Sequence, residues 1–312
     1  MKNTLYILII ITGFGSCSKQ LKESPYSIVS PENFYKTQTD FETAVYGLLA
    51  LMNGANLYGQ YLHYPMETTS GSYNIGFADI KTMTYTSTNQ WSVRPWDAQF
   101  NLIQNCNIIL SRIDGLDFDI DRKNALKGET LFIRANAYFN LVRMYGGVPL
   151  YLEPTKSLSD ASKPRTSVPE VYEAITEDLK KASEILRVVN PYGPGRVTRG
   201  SAMGLLVKVY VQMAGKPTYD EGKWDEALVL LKQLVDVDNP SRAPSPFTYS
   251  LEPDFQNLFW KVTAPRTGGA GLPTIAKPAN ENGPESVYEI NYKKVSGIAS
   301  CIYPESFKNM RY

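Results

Sequence analysis

The sequence predicts a mostly α fold, built of helical hairpins that carry long irregular, aromatic-rich loops, with little β. Three observations carry that prediction. Apolar residues recur at three and four positions through successive stretches of 12 to 25 residues or so, the spacing of one helical face. Glycine, proline or Asn-Gly punctuation closes most of these stretches. Between them, from 53 to 96 and again from 238 to 285, the helical period vanishes while Tyr, Trp, Pro and Gly accumulate.

Residues 1–16 read as a lipoprotein signal peptide: Lys2 supplies the positive end, Leu5 to Ile11 the apolar centre, and Gly13, Gly15 and Ser16 are small. The apolar run is too short to span a bilayer. Phe14-Gly15-Ser16-Cys17 has the form of a lipobox, although Phe14 replaces the usual aliphatic residue. Cys17 is therefore expected to be the lipid attachment site, with simple secretion and an incidental cysteine as the alternative. Residues 17–312 are expected to form one helical domain.

The first helix follows, with Phe41, Ala44, Val45, Leu48 and Met52 on one face, Thr39 and Glu42 spaced for a capping box, and Asn53-Gly54 as the stop. From 53 to 96 the rings Tyr58, Tyr61, Tyr64, Tyr73, Phe77, Tyr85, Trp91 and Trp96 lie among Asn, Gln, Ser, Thr and Gly. A long segment without periodicity inside a compact domain is usually functional or disordered. So many aromatics argue against disorder. Sugars need this mixture, because their C–H faces stack on rings while their hydroxyls demand oriented polar partners. The candidate ligand surface is Tyr73, Trp91 and Trp96 as stackers, with Asp79, Asn89 and Arg94 as polar partners; ordinary packing of each ring is the competing reading.

The next helix is predicted from about Asp97 to Ile113, with Phe100, Ile103, Asn107 and Leu110 on one side and Asp114-Gly115 as the turn. The stretch 121–145 carries two adjoining stripes. Leu126, Thr130, Ile133, Ala137, Leu141 and Met144 form one, and Leu131, Ala135, Tyr138, Val142 and Tyr145 the other. Two stripes side by side describe a buried helix around which the chain packs. Gly146 and Gly147 tolerate its end, and Pro149 forbids continuation. Arg134 and Arg143 are its polar exceptions; an intramolecular partner is the simpler fate for each, an anionic ligand the other.

A polar link from Pro154 to Pro164 leads to Ser167 and Glu170, spaced as a capping box with Pro169 in the first turn. Val168, Val171, Tyr172, Ile175, Leu179, Ala182 and Leu186 then form a core stripe, and Glu173, Glu177, Lys180, Lys181 and Glu184 a solvated face. Ala202, Leu205, Leu206, Val209, Tyr210 and Met213 mark another helix, closed by Gly215 and Pro217. Trp224, Ala227, Leu228, Leu231 and Val235 mark the last. The glycines near 195–200 match neither GxGxxG nor a P-loop, so they are read as helix packing.

Composition narrows the function. The net charge is +1 with no basic cluster, so nucleic acid is not an expected partner. Cys17, Cys106 and Cys301 fit neither a zinc motif nor a disulfide framework, and Cys106 falls within a helical pattern as a small core residue. With His63 the only histidine, no metal site, catalytic triad or cofactor is expected.

Several segments also carry a family resemblance. Phe132 to Leu150, with Arg134-Ala135, Tyr138-Phe139, Leu141, Arg143, Tyr145-Gly146 and Val148-Pro149-Leu150 in place, resembles the core segment of the SusD/RagB family of Bacteroidetes outer-membrane lipoproteins. Ser30-Pro31-Glu32-Asn33-Phe34-Tyr35, Asn107-Ile-Ile-Leu110, Arg165 to Tyr172, Gly195 to Ala202 and Pro284 to Ile290 resemble further segments of that family, the last of them a short strand. The resemblance covers nearly the whole chain. It implies a tetratricopeptide-like helical array and a non-catalytic, surface-exposed subunit, anchored in the outer membrane by its N-terminal lipid. Such a subunit captures an oligosaccharide or other nutrient and works with a TonB-dependent, SusC-like barrel transporter. It also implies that the chain represents the front part of a longer protein, with an incomplete site and an exposed apolar seam. The alternatives are a helical-repeat scaffold that binds only protein, and a glycoside hydrolase using two carboxylates such as Glu67 and Asp79.

Overall fold

The computed structural model describes residues 34–62, 64–65, 78–84, 86–192, 195–236, 246–247 and 249. The chain divides into two compact units, 1–36 and 37–312. Of the first, only 34–36 are described, where the Phe34 and Tyr35 rings meet edge to face at 4.7 Å.

The regular elements of the second unit are all helical among its described residues, with no strand. Helix α1 spans Gln38–Asn53 and buries Phe41, Val45, Leu48 and Met52. Its capping box uses Thr37 and Asp40, two residues before the Thr39 and Glu42 expected from sequence. Glu42 has a different partner: its carboxylate accepts from Arg122 Nε at 2.6 Å. The helix stops at Gly54 as expected, and a π-helical turn, Ala55–Gly59, follows directly.

Helix α2 is the short Ala78–Lys81, and α3 runs Gln90–Ile113. The expected start at about Asp97 is corrected by seven residues. Asn89 accepts from the Trp91 amide and nucleates the helix earlier, and Pro95 is carried inside it. Proline there leaves one carbonyl without its helical donor but does not prevent the first turns from forming. The irregular segment expected over 53–96 is thus shorter, since 55–59, 78–81 and 90–96 are helical. Inward-facing Trp91, Pro95, Gln99, Leu102, Ile103 and Cys106 form one stripe of α3.

Helix α4, Ile120–Tyr145, is the centre the double stripe predicts: every residue from Gly128 to Val142 is buried. Gly146 closes it with φ 73°, a left-handed value that suits glycine. Helix α5, Val168–Ile185, carries the Ser167/Glu170 capping box as predicted. Helix α6, Arg199–Ala214, is capped by Thr198 and Ser201, and α7 spans Lys223–Leu234. From α3 to α7 each helix packs on its successor, and α1 packs on α3 and α4. Gly128 permits one of these approaches, because a Cβ there would lie 2.6 Å from Leu186 Cγ.

The stripe predicted for α7 is corrected. Ala227 is buried, but Trp224 and Leu228 are 52% and 45% exposed, and the residues that α7 buries are Ala227 and Leu234. The Pro/Gly-rich loop expected over 238–285 lies outside the described residues save Pro246, Phe247 and Tyr249. Phe247 packs with Met203 and Leu234.

A buried helix must satisfy its polar groups internally. Arg134 forms a bidentate pair with Asp178 of α5, Nε to Oδ2 at 2.8 Å and Nη2 to Oδ1 at 2.7 Å. Glu129 accepts from Arg196 Nε at 3.0 Å. Asn136 and Asn140 both donate to the Tyr58 hydroxyl, at 2.8 and 2.9 Å. Arg143 folds back onto its own helix, donating to Asn140 Oδ1 at 2.8 Å. Both arginine exceptions therefore have intramolecular partners. Cys106 is wholly buried, and burial pushes its thiol well up, so it stays protonated.

Candidate functional site

Beside α3 lies an open cleft of about 600 Å³. One wall is α3, where Trp96, Phe100, Ile103 and Gln104 line up at helical spacing; the other is the chain after α4, contributing Pro149, Tyr151, Thr155 and residues 161–163. Three half-buried rings dominate it. Trp96 and Phe100 have centroids 4.8 Å apart, Trp96 meets Tyr145 edge to face at 5.1 Å, and Phe100 meets Tyr151 edge to face at 5.9 Å.

The second wall is irregular backbone, yet it is held at nearly every step by side chains of the helical core. Tyr138 Oη donates to the Tyr151 carbonyl at 2.9 Å and accepts from the Tyr151 amide at 2.7 Å. Asn107 Nδ2 donates to the carbonyls of Tyr151 and Glu153, at 2.9 and 3.2 Å. Gln104 brackets Thr155, donating to its carbonyl at 3.2 Å and accepting from its amide at 2.9 Å. Arg134 Nη1 joins this set, donating to Asn107 Oδ1 at 2.8 Å and to the Leu152 carbonyl at 3.1 Å. The buried Arg134–Asp178 pair thereby reaches the cleft through Asn107. Burial pushes the Asp178 carboxyl up, while the hydrogen bonds and charge of Arg134 pull it down.

The far end of the wall closes back on itself. Tyr151 Oη donates to the Ala161 carbonyl at 2.6 Å, and Lys163 Nζ donates to the Leu150 carbonyl at 3.1 Å while lying 5.0 Å from the Tyr151 ring centroid. Such a surface is preformed. Rings with their faces partly open, next to amide, hydroxyl and ammonium groups, can stack on the C–H face of a sugar and hydrogen-bond its hydroxyls.

The residues singled out from sequence fall in three places. Trp96 lines this cleft. Asp79, Asn89, Trp91 and Arg94 come together elsewhere, around the start of α3. There Asn89 Nδ2 donates to Asp79 Oδ2 at 2.9 Å, and Asn89 Oδ1 caps the Trp91 amide. Arg94 lies over the Tyr61 ring at 4.7 Å. Trp91 is 1% exposed and packs with Tyr61, Tyr64 and Ile80, so its expected role as an open stacking face is corrected. Tyr58 is buried as well. Among the described rings of 58–91 none presents an open face, because the early start of α3 turns Trp91 inward and the π-turn tucks Tyr58 under α4. Tyr73, Glu67 and Cys17 lie outside the described residues.

Sequence reasoning missed Phe100, Tyr151, Gln104 and Lys163. The spacing Trp96, Phe100, Gln104 is a single helical line and was available as a signal; the facing position of Tyr151 was not. A second cleft, of about 560 Å³ between α1 and α3, is lined by Gly47, Ala50, Gly54, Asp97 and Asn101 among others, with no ring among its lining residues.

Comparison with known proteins gives one consistent result. Residues 21–211 match the SusD-like family described as starch-binding and associating with the outer membrane. SusD-like protein P2 of Formosa agariphila is 28% identical over 265 residues, covering 81% of this chain and 48% of that protein. The crystal structure of a SusD superfamily protein from Bacteroides vulgatus superposes with a TM-score of 0.64 at 26% identity, over 82% of this chain and 50% of that one. A laminarin-binding SusD-like protein superposes with a TM-score of 0.63 at 24% identity, over 82% of this chain and 51% of that one. The chain thus spans about half the length of the curated relatives it matches.

Proposed function

Since the chain belongs to the SusD-like family, we propose that it serves as a glycan-binding subunit at the outer membrane, capturing an oligosaccharide without chemically changing it. The observation that carries this reading is the preformed cleft in which Trp96, Phe100 and Tyr151 leave three rings half-open beside Gln104, Thr155 and Lys163. A sugar ring entering it exchanges water for C–H stacking, while its hydroxyls find replacement partners along the wall. Hydrated hydroxyls give up nearly as much as they gain, so affinity should be modest for a single sugar and grow with chain length. The laminarin-binding relative supports a polysaccharide as the ligand class.

The same reading extends to the rest of the nutrient-uptake assembly. Residues 1–16 act as the lipoprotein signal, and acylated Cys17 anchors residues 17–312 to the outer membrane, each buried methylene contributing about 0.8 kcal/mol. The bound glycan is handed to a TonB-dependent, SusC-like barrel transporter. Support for these steps is the Lys2 to Cys17 pattern and family membership.

The test is isothermal titration of the full chain with oligosaccharides of increasing length, using wild type, Trp96→Ala and Tyr151→Phe. Loss of binding in Trp96→Ala that remains folded and melts cooperatively supports the cleft. Equal affinity in wild type and Trp96→Ala overturns it.

A further inference from the structure

Resting on the cleft as the binding site, we propose that its ligand is an anionic saccharide, one that presents a carboxylate or a sulfate ester to Lys163. The charge balance of the cleft points there. Among its described lining residues Lys163 is the one charged side chain, and no carboxylate stands opposite it. Glu153 and Asp160 share the wall segment, but neither forms an ion pair with Lys163 among the described residues.

The ammonium is also held in place. Its Nζ donates to the Leu150 carbonyl and lies over the Tyr151 ring, while the Tyr151 hydroxyl is bonded to Ala161, two residues before Lys163. The loop that carries the lysine and the ring beneath it are thereby tied to each other. An ammonium has three donors. One is spent on Leu150 and one side faces the ring, which leaves donor capacity toward the open side of the cleft. A neutral ligand would have to displace the water of this exposed ammonium for hydroxyl contacts alone. An anionic group replaces that water with a charge-assisted bond of roughly twice the strength of a neutral one. A lysine acts as a point charge and does not demand the planar fork of a carboxylate, so uronate and sulfate are both accommodated.

The experiment is retention on an array of immobilised oligosaccharides in which each backbone appears neutral, C6-oxidised to the uronate, and O-sulfated. It is probed with full-chain wild type, Lys163→Gln, Lys163→Arg and Trp96→Ala. Wild type should retain acidic forms over their neutral counterparts by about tenfold, with the preference shrinking between 50 and 500 mM salt, as expected for a partly exposed charge at about those ionic strengths. Lys163→Gln should abolish that preference, with about a tenfold loss on acidic forms and a much smaller one on their neutral counterparts, while Lys163→Arg keeps it. The uronate and sulfate arms identify which anion is preferred. Equal retention of neutral and acidic forms by wild type, or an equal loss on both in Lys163→Gln, overturns the anionic ligand while leaving the cleft intact. No effect of Trp96→Ala on any retained glycan, or retention of nothing, overturns the cleft itself and this inference with it.

Discussion

Arg134 of α4 grips Asp178 of α5 through two nearly parallel hydrogen bonds of 2.8 and 2.7 Å, and both side chains are less than a tenth exposed. The pair does more than join two helices, because the remaining nitrogen of the guanidinium orients Asn107 and the Leu152 carbonyl at the cleft wall. Breaking it from one side leaves a buried charge without its counter-charge. Asp178→Ala should therefore lower unfolding stability by about 3–5 kcal/mol, measured by chemical denaturation. The double replacement Arg134→Met with Asp178→Leu should recover most of that stability. It should still weaken glycan binding, since Asn107 has lost its orienting donor. Full binding by a stable double variant would show that the pair serves packing alone.

Two tryptophans five residues apart should respond in opposite ways. Trp91 is wholly buried against Tyr61 and Tyr64, so Trp91→Ala should cost about 3–5 kcal/mol of stability. Trp96 is only partly buried, its ring against Phe100 and Tyr145 at the cleft, so Trp96→Ala should cost less stability, about 1–3 kcal/mol. Its larger cost should fall on binding. Thermal melts and glycan titrations on the two variants separate these outcomes.

Glycines give a third contrast. Gly47 lies within α1 with nothing within 4 Å of where a Cβ would stand, so Gly47→Ala should stabilise by about 0.5–1 kcal/mol. At Gly147 the same methyl would lie 2.4 Å from the Thr166 carbonyl oxygen, which is backbone and cannot rotate away. Gly147→Ala should destabilise by about 1–3 kcal/mol, as overpacking does. Denaturant midpoints compared with wild type check both signs.

Acid stability should depend on Glu42. The hydrogen bond from Arg122 holds its carboxyl below the ordinary value of 4.5. A carboxyl lowered in the folded state contributes stability that is complete above the unfolded value and disappears as pH falls through the folded one. Wild type should lose stability on acidification below about pH 4.5, and Glu42→Gln should show a shallower loss over the same range. Parallel acid limbs for the two proteins in denaturant titrations at stepped pH would contradict this assignment.

What could be read from the sequence was set by local chemistry. The Ser167/Glu170 box needs only residues three apart, and the stop at Gly146 to Pro149 needs only backbone sterics, so both lie where expected. The double stripe of α4 was legible because burial on all sides leaves its mark within one helix. The start of α3 was not, because a proline inside its second turn mimics a boundary. Nor was the fate of Trp91, which depends on Tyr61 and Tyr64 some thirty residues away and on Ile80. The cleft was half legible: Trp96 was found as an aromatic, but Tyr151 is placed by Tyr138 and Asn107, and Lys163 by Leu150. No local pattern encodes contacts of that separation.

The reciprocal bonds between the Tyr138 phenol and both backbone groups of Tyr151 have a consequence for register. A single hydroxyl plays the part that a neighbouring strand would play, so the run after Pro149 is locked at one residue with no strand among the described residues. Inserting one residue between Gly147 and Tyr151 would shift which residue meets the phenol, and so move the ring from its place against Phe100. The length of that short connector is therefore as much a determinant of what the protein can hold as the identity of any ring it carries.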